Sequence, residues 1–185
     1  MIFHSIPLNG AYLIDIEKNQ DERGFFSRLY CEQDFSNFGL VSKWAQINSS
    51  YSEKRGTLRG LHFQRSPYAE VKVIRCIKGV IWDVIVDLRR NSTTYGEWYG
   101  AEMSEENRVM MYVPKGFAHG FITLSDHSEV IYFVSSFYNQ SSEGGLIWCD
   151  KDIDIQWPIA PVIISSKDLK NQSLKNLEPI FLENE

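Results

Sequence analysis

From Leu58 to Val134 the chain is mostly a succession of short apolar, β-branched and aromatic runs parted by turn residues. That pattern belongs to strands rather than helices. The runs are Val71–Cys76, Val80–Leu88, Tyr99–Met103, Val109–Val113, Gly120–Leu124 and Glu129–Phe137. Upstream, Gly10–Glu17, Phe25–Tyr30 and Trp44–Ser50 have the same character. Val80–Leu88 is the strongest of them. Strand alternation puts Asp83 and Asp87 on the face of Ile81 and Ile85, so that face is mixed. Helical spacing occurs in two places. Cys31–Leu40 predicts a short helix with Phe35 and Phe38 on one face and Gly39 as its stop. Ser165 or Ser166, with Asp168 in the first turn, predicts a capped terminal helix reaching Leu177. Many short strands with little helix predict a mainly β sandwich or barrel with short peripheral helices.

Within that pattern, Thr57-Leu58-Arg59-Gly60-Leu61-His62-Phe63-Gln64 sets an Arg, a His and a Gln into an apolar run. Regular alternation predicts Arg59, Leu61 and Phe63 on one face and Leu58, Gly60, His62 and Gln64 on the other. Lys72 follows in the next run, beyond a turn containing Pro67. Val113–Phe121 holds a second histidine, His119, between aromatic and glycine residues. One histidine in apolar sequence is commonly a hydrogen-bonded core residue. Two of them with a lysine point to a pocket for an anionic or carbonyl substrate. His serves as a base near neutral pH, and Lys stabilises an enolate oxygen.

The 185 residues suffice for one core, and residues 1–185 are expected to form a single domain. The net charge of −5 argues against general attraction to nucleic acid or anionic membrane. Any phosphate contact must therefore come from a local cluster, for which Arg23, Arg59, Lys72 and Lys167 are candidates. Cys31, Cys76 and Cys149 are odd in number and widely spaced, so each is expected to be a small core or strand residue rather than half of a disulfide. A metal site needs three or four converging ligands. Phe63 and Gln64 follow His62 where a His-x-His pair would continue, and His119 stands alone in its stretch, so no metal is expected. Gly-x-Ser-x-Gly is absent, and no cysteine sits beside a histidine in sequence. The N-terminus has no charged segment followed by an apolar core, and no run approaches the length of a membrane span. A cytoplasmic protein is expected.

Several stretches, in this order, resemble one family. They are Asp21–Phe26, Gln46–Ser50, Leu58–Gln64, Val84–Arg89, Pro114–Phe121, Ile131-Tyr132 and Ile155–Pro158. Together they are similar to the dTDP-4-dehydrorhamnose 3,5-epimerases. The resemblance implies a jelly-roll β-sandwich of cupin type, a homodimer, and an isomerase that needs no cofactor. The implied substrate is a nucleotide-diphosphate-linked 4-keto-6-deoxyhexose, inverted at C3 and C5 through an enolate on the way to dTDP-L-rhamnose and surface polysaccharide. By the same resemblance His62 is the base, Asp168 its partner, Lys72 the stabiliser of the enolate and Tyr132 the acid on the opposite face. His119, Arg59, Gln46 and Asn48 would bind substrate, with Glu143 and Lys167 at further substrate positions and Tyr138 at the base. Arg23 would reach the diphosphate across the dimer interface. Arg28 departs from the pattern, standing where the family usually has Glu. An enzyme inverting C3 alone, or acting on another nucleotide sugar, would use the same acid and base. A non-catalytic sugar-binding relative would need Arg59 but not His62 and Tyr132 together.

Overall fold

The computed structural model describes residues 1–182. The first half of the chain forms β1 (Ile2–Ser5), β2 (Tyr12–Asp15), β3 (Lys18–Asp21), β4 (Gly24–Ser27), α1 (Glu32–Asn37), β5 (Gln46–Ser52), β6 (Thr57–Gln64), β7 (Lys72–Lys78) and β8 (Val80–Asp87). The second half forms β9 (Trp98–Ser104), β10 (Met110–Val113), β11 (Phe117–Thr123), β12 (Ser128–Val134), β13 (Glu143–Gly145) and β14 (Ile163–Ile164). One sheet runs β1-β2-β10-β7-β12-β5. The other runs β13-β6-β11-β8-β9, with β14 added parallel to β6. The two sheets stack as a jelly-roll β-sandwich of cupin type, as the strand pattern and the resemblance predict.

Alternation sorts the apolar side chains into three layers. Ile74 and Cys76 of β7, Met111 and Val113 of β10, and Val130 of β12 meet Ile81 and Ile85 of β8, Met103 of β9, and Phe117 and Phe121 of β11 between the sheets. Leu61, Phe63, Val84, Val86 and Leu88 face outward from the second sheet and are roofed by Leu146, Ile153, Ile155, Leu177 and Ile180. Ile14, Val73, Met110 and Tyr112 face outward from the first sheet and are roofed by Phe35 of α1. Phe35 is buried and Phe38 is exposed, so only one of the two expected helix-face aromatics reaches this layer. The hairpin β3–β4 pairs only with itself and is exposed along nearly its whole length.

Three expectations need correction. The predicted terminal helix from Ser165 to Leu177 is absent. The segment instead carries β14 and two single 3-10 turns, Asp168–Lys170 and Leu174–Asn176. Tertiary partners take the backbone groups that a helix would use: Ile147 N donates to Gln172 O at 2.8 Å, and Leu174 N donates to the Asp150 carboxylate at 2.7 Å. Among the cysteines only Cys76 lies in the core; Cys149 is exposed in the turn after β13, and Cys31 precedes α1 half-buried.

The third correction concerns Arg59. It does not share the outward face of Leu61 and Phe63. On β11, His119 pairs with His62 and Phe121 pairs with Arg59. Two steps along β11 therefore match three along β6, which is a β-bulge. Beyond it the alternation is inverted, and Arg59 joins His62 on the inner face. Gly60 occupies the bulge at φ +123, and a Cβ there would lie 2.6 Å from Gly120 Cα and 2.9 Å from His119 O. Only glycine fits both the backbone angle and the space.

Candidate active site

The bulge and the open end of the sandwich create a cavity of about 450 Å³ between the sheets. Arg59 and His62 reach it from β6, His119 and Phe121 from β11, Lys72 from β7 and Tyr132 from β12. Lys167 and Asp168 close it from the segment after β14. A second cavity of about 200 Å³ shares His62, Lys72 and Tyr132 and adds Gln46, Asn48, Tyr138 and Glu143. The fold thus gathers every residue singled out from the sequence except Arg23. That residue sits in the turn of the exposed β3–β4 hairpin, ion-paired with Asp21, and lines neither cavity. Arg28, just past β4, is exposed as well.

Asp168 organises the inner cavity. It is 4 % exposed, and its Oδ1 lies 2.8 Å from His62 Nε2. Its Oδ2 accepts from Gly60 N at 3.2 Å, so the bulge glycine also holds the carboxylate. Ser165 Oγ accepts from Asp168 N at 3.0 Å and fixes the turn that presents it. Burial pushes the Asp168 carboxyl up, but the His62 hydrogen bond and charge, with the Gly60 N–H, outweigh burial and hold it below the usual carboxylate value. His62 itself is a third exposed and opens to the cavity. This is the arrangement of a base whose tautomer and orientation are set by a buried carboxylate. His119 is built the same way, with Nε2 2.7 Å from Oδ1 of fully buried Asp83.

Tyr132 faces His62 from the opposite sheet. Burial, and then the charge of Glu70, push its phenol above the usual value against the pull of Arg59, so it is protonated at neutral pH. Lys72 is largely buried, with Nζ 3.5 Å from His62 O and 3.2 Å from Glu70 Oε1. At the outer cavity Glu143 accepts from Lys167 Nζ at 2.6 Å and from Tyr138 OH at 3.0 Å. Burial raises the Glu143 carboxyl, but these partners outweigh it and keep the group ionised at neutral pH. Gln46 Oε1 accepts from Tyr138 N at 2.9 Å, tying β5 to the loop that carries Tyr138.

The sequence reading missed Glu70, Gln64 and Ser165 as site residues. Glu70 stands two residues before Lys72, and Gln64 two after His62. In extended chain that spacing puts each beside a named site residue, so a signal was present. Ser165 was recognised only as a helix cap, and it does cap the Asp168 turn. Among the described residues no three His, Cys, Asp or Glu side chains group as metal ligands.

Known proteins share this chain's sequence and fold. Residues 5–176 match the family described as dTDP-4-dehydrorhamnose 3,5-epimerase. The epimerase of that name from Methanothermobacter thermautotrophicus is 45 % identical over 183 residues, covering 97 % of both chains. The crystal structure of the Elizabethkingia anophelis enzyme superposes with a TM-score of 0.93 at 41 % identity, covering 96 % of this chain and 98 % of that one. The Bacillus anthracis enzyme, solved with TDP and pyrophosphate bound, superposes at 0.90 with 40 % identity, covering 93 % and 98 %. With a sandwich of the same build and the His62–Asp168 pair opposite Tyr132, the chain belongs to the dTDP-4-dehydrorhamnose 3,5-epimerase family.

Proposed function

We propose that the protein epimerises dTDP-4-dehydro-6-deoxy-D-glucose at C3 and C5 to dTDP-4-dehydro-L-rhamnose, in the supply of L-rhamnose for surface polysaccharide. The observation that carries this reading is the placing of an oriented base and a protonated acid on facing sheets, with an ammonium beside them. The C4 ketone makes the C3 and C5 hydrogens acidic, because the electrons of the broken C–H bond move onto the ketone oxygen. Asp168 accepts the Nε2 proton of His62, which leaves the Nδ1 lone pair free to take the carbon-bound proton. Asp168 also stabilises the imidazolium that results. Lys72 donates to the enolate oxygen as charge develops there. Tyr132 returns a proton to the opposite face of the same carbon; its phenolate is then reprotonated from solvent and the His62 imidazolium gives its proton up to solvent, which resets both groups. Repetition at the second carbon completes the double inversion. Arg59 and His119 hold the sugar, Gln46, Asn48, Glu143 and Lys167 bind the rest of the substrate, and Tyr138 meets the base.

Proton NMR of the protein with this substrate in deuterated water tests the reading. Loss of both the C3 and C5 signals is expected. Loss of C3 alone overturns the second inversion, and retention of both overturns the reaction.

We infer also that residues 1–185 act as one domain and that the protein is a homodimer, meeting its copy through the outer face of β7, β12 and β5. Register puts Ile47 and Tyr51 on this face, and both are exposed, as is Ile77 at the bulge of β7. Arg75 lies among them, 6 % exposed, with Nε and Nη1 buried and without a hydrogen-bond partner among the described residues. A buried guanidinium left unpaired is costly, and a carboxylate from a second copy would satisfy it. Glu129 stands on the same face, so a two-fold axis would set each Arg75 towards a partner carboxylate. The exposed hairpin is then the means by which Arg23 reaches the diphosphate in the other copy's cavity. Sedimentation equilibrium should give twice the chain mass, and Ile47→Lys should shift the population to monomer; a monomeric native protein refutes the assignment. No helix among the described residues is long and apolar enough to cross a membrane. A nucleotide-sugar substrate agrees with a cytoplasmic site of action.

A further inference from the structure

We propose that Glu70 is a positioning residue for the reaction, aiming the Lys72 ammonium into the cavity that Tyr132 faces. The inference rests on the epimerase reading of this site. Glu70 immediately precedes β7, and its side chain is 11 % exposed. Its two oxygens are divided between two tasks. Oε1 lies 3.2 Å from Lys72 Nζ, and Oε2 accepts from Gln64 Nε2 at 3.0 Å. Gln64 is itself fixed, since its amide nitrogen also lies 3.1 Å from Tyr68 O and 3.2 Å from Phe137 O, sharing its two protons among these acceptors, and its Oε1 accepts from Asn139 N at 2.6 Å. Glu70 is therefore held from behind by a buried amide.

The consequence for Lys72 follows from counting its protons. An ammonium has three donors on a flexible stem. Glu70 takes one, and His62 O lies at the limit of reach for a second at 3.5 Å. The third is left for the cavity that Lys72 lines. Without Glu70 the ammonium has no charged partner among the described residues to set its rotamer, and the donor for the enolate oxygen loses its aim.

The consequence for Tyr132 is electrostatic. Glu70 and Tyr132 line the same outer cavity; burial is the main cause of the raised phenol pKa, and the Glu70 charge adds to it. The other charged or titratable groups around this cavity are Arg59 and His62 on β6, Lys72 on β7, His119 on β11, Tyr138 between β12 and β13, Glu143 on β13, and Lys167 and Asp168 after β14. Arg59 acts against Glu70, favouring the phenolate. Removing the Glu70 charge leaves that pull unopposed, so the phenol ionises at lower pH.

Glu70→Gln and Glu70→Asp test the proposal. Both should keep the fold, checked by the thermal midpoint, because Gln preserves the shape and Asp the charge. The readouts are the pH dependence of solvent-deuterium exchange into the sugar, and the absorbance titration of Tyr132 obtained by subtracting Tyr132→Phe. In Glu70→Gln the Tyr132 titration and the alkaline limb of kcat should both move to lower pH. Its kcat should fall about tenfold to a hundredfold, the scale of a displaced group, with a smaller change in KM. Glu70→Asp should restore the alkaline limb. Wild-type kcat in Glu70→Gln overturns the positioning of Lys72, and an unmoved Tyr132 titration overturns the electrostatic link to Tyr132. The phenol titration needs no turnover. Absent exchange in the wild-type protein with a shifted titration would therefore mark a failure of the reaction assignment, not of the role of Glu70.

Discussion

Asp168 and His62 are 106 residues apart in the chain and 2.8 Å apart in space. That separation explains why one was legible in the sequence and the other was not. His62 and Lys72 interrupt apolar runs, so pattern alone marks them. Asp168 reads as an ordinary acid in the first turn of a helix, and Tyr132 as one of nine tyrosines in a strand. Only the resemblance singled them out. Asp168→Asn should lower the exchange rate at neutral pH by about a hundredfold or more, because the amide can neither stabilise the imidazolium nor hold its tautomer. Stability should respond as well. The folded-state pKa of Asp168 lies below its ordinary value of 3.8, so the ionised form is favoured by folding. Its contribution is complete above that value and is lost as pH falls through the lower folded-state value. The stability difference between wild type and Asp168→Asn, measured by urea unfolding, should therefore be constant near neutrality and shrink on acidification below 3.8.

At the scale of the element, β6 carries the site through an irregularity. Period-2 reading placed Leu61 and Phe63 correctly and Arg59 wrongly, because a bulge adds one residue and inverts the alternation on one side of it. The glycine was visible, but an isolated glycine in a strand does not say which neighbour will pair across it. Gly60→Ala should lower stability by about 1–3 kcal/mol, the range for crowding in a packed interior, read as a lower urea midpoint. It should also reduce exchange activity in the fraction that remains folded, since Gly60 N holds Asp168 and the bulge turns Arg59 inward. Unchanged activity per folded molecule would separate the bulge from the chemistry. The C-terminal segment makes the opposite case. There the serine cap and first-turn acid were correctly seen, but hydrogen bonds to Asp150 and Ile147 divided the expected helix into two turns.

For the whole molecule, the class of fold was legible because most strands of the sandwich carry their own apolar pattern, β13 with its Glu-Gly-Gly sequence being an exception. The layering was not, since alternation gives two faces to each strand and does not say what covers either. The structure supplies that: one layer between the sheets and a roof on each outer face, with the lower part of the first sheet left uncovered around Arg75. This construction has a consequence for stereochemistry. The proposed base, His62, hangs from one sheet and the proposed acid, Tyr132, from the other, and stacked sheets stand about 10 Å apart. The gap across which a carbon must present both its faces is thus gauged by Ile74, Ile85, Met111 and Val130, side chains in the same layer that line neither cavity. Packing there acts as a calliper: its thickness, more than any loop, decides how large a ring can stand between the two proton carriers and be struck from both sides.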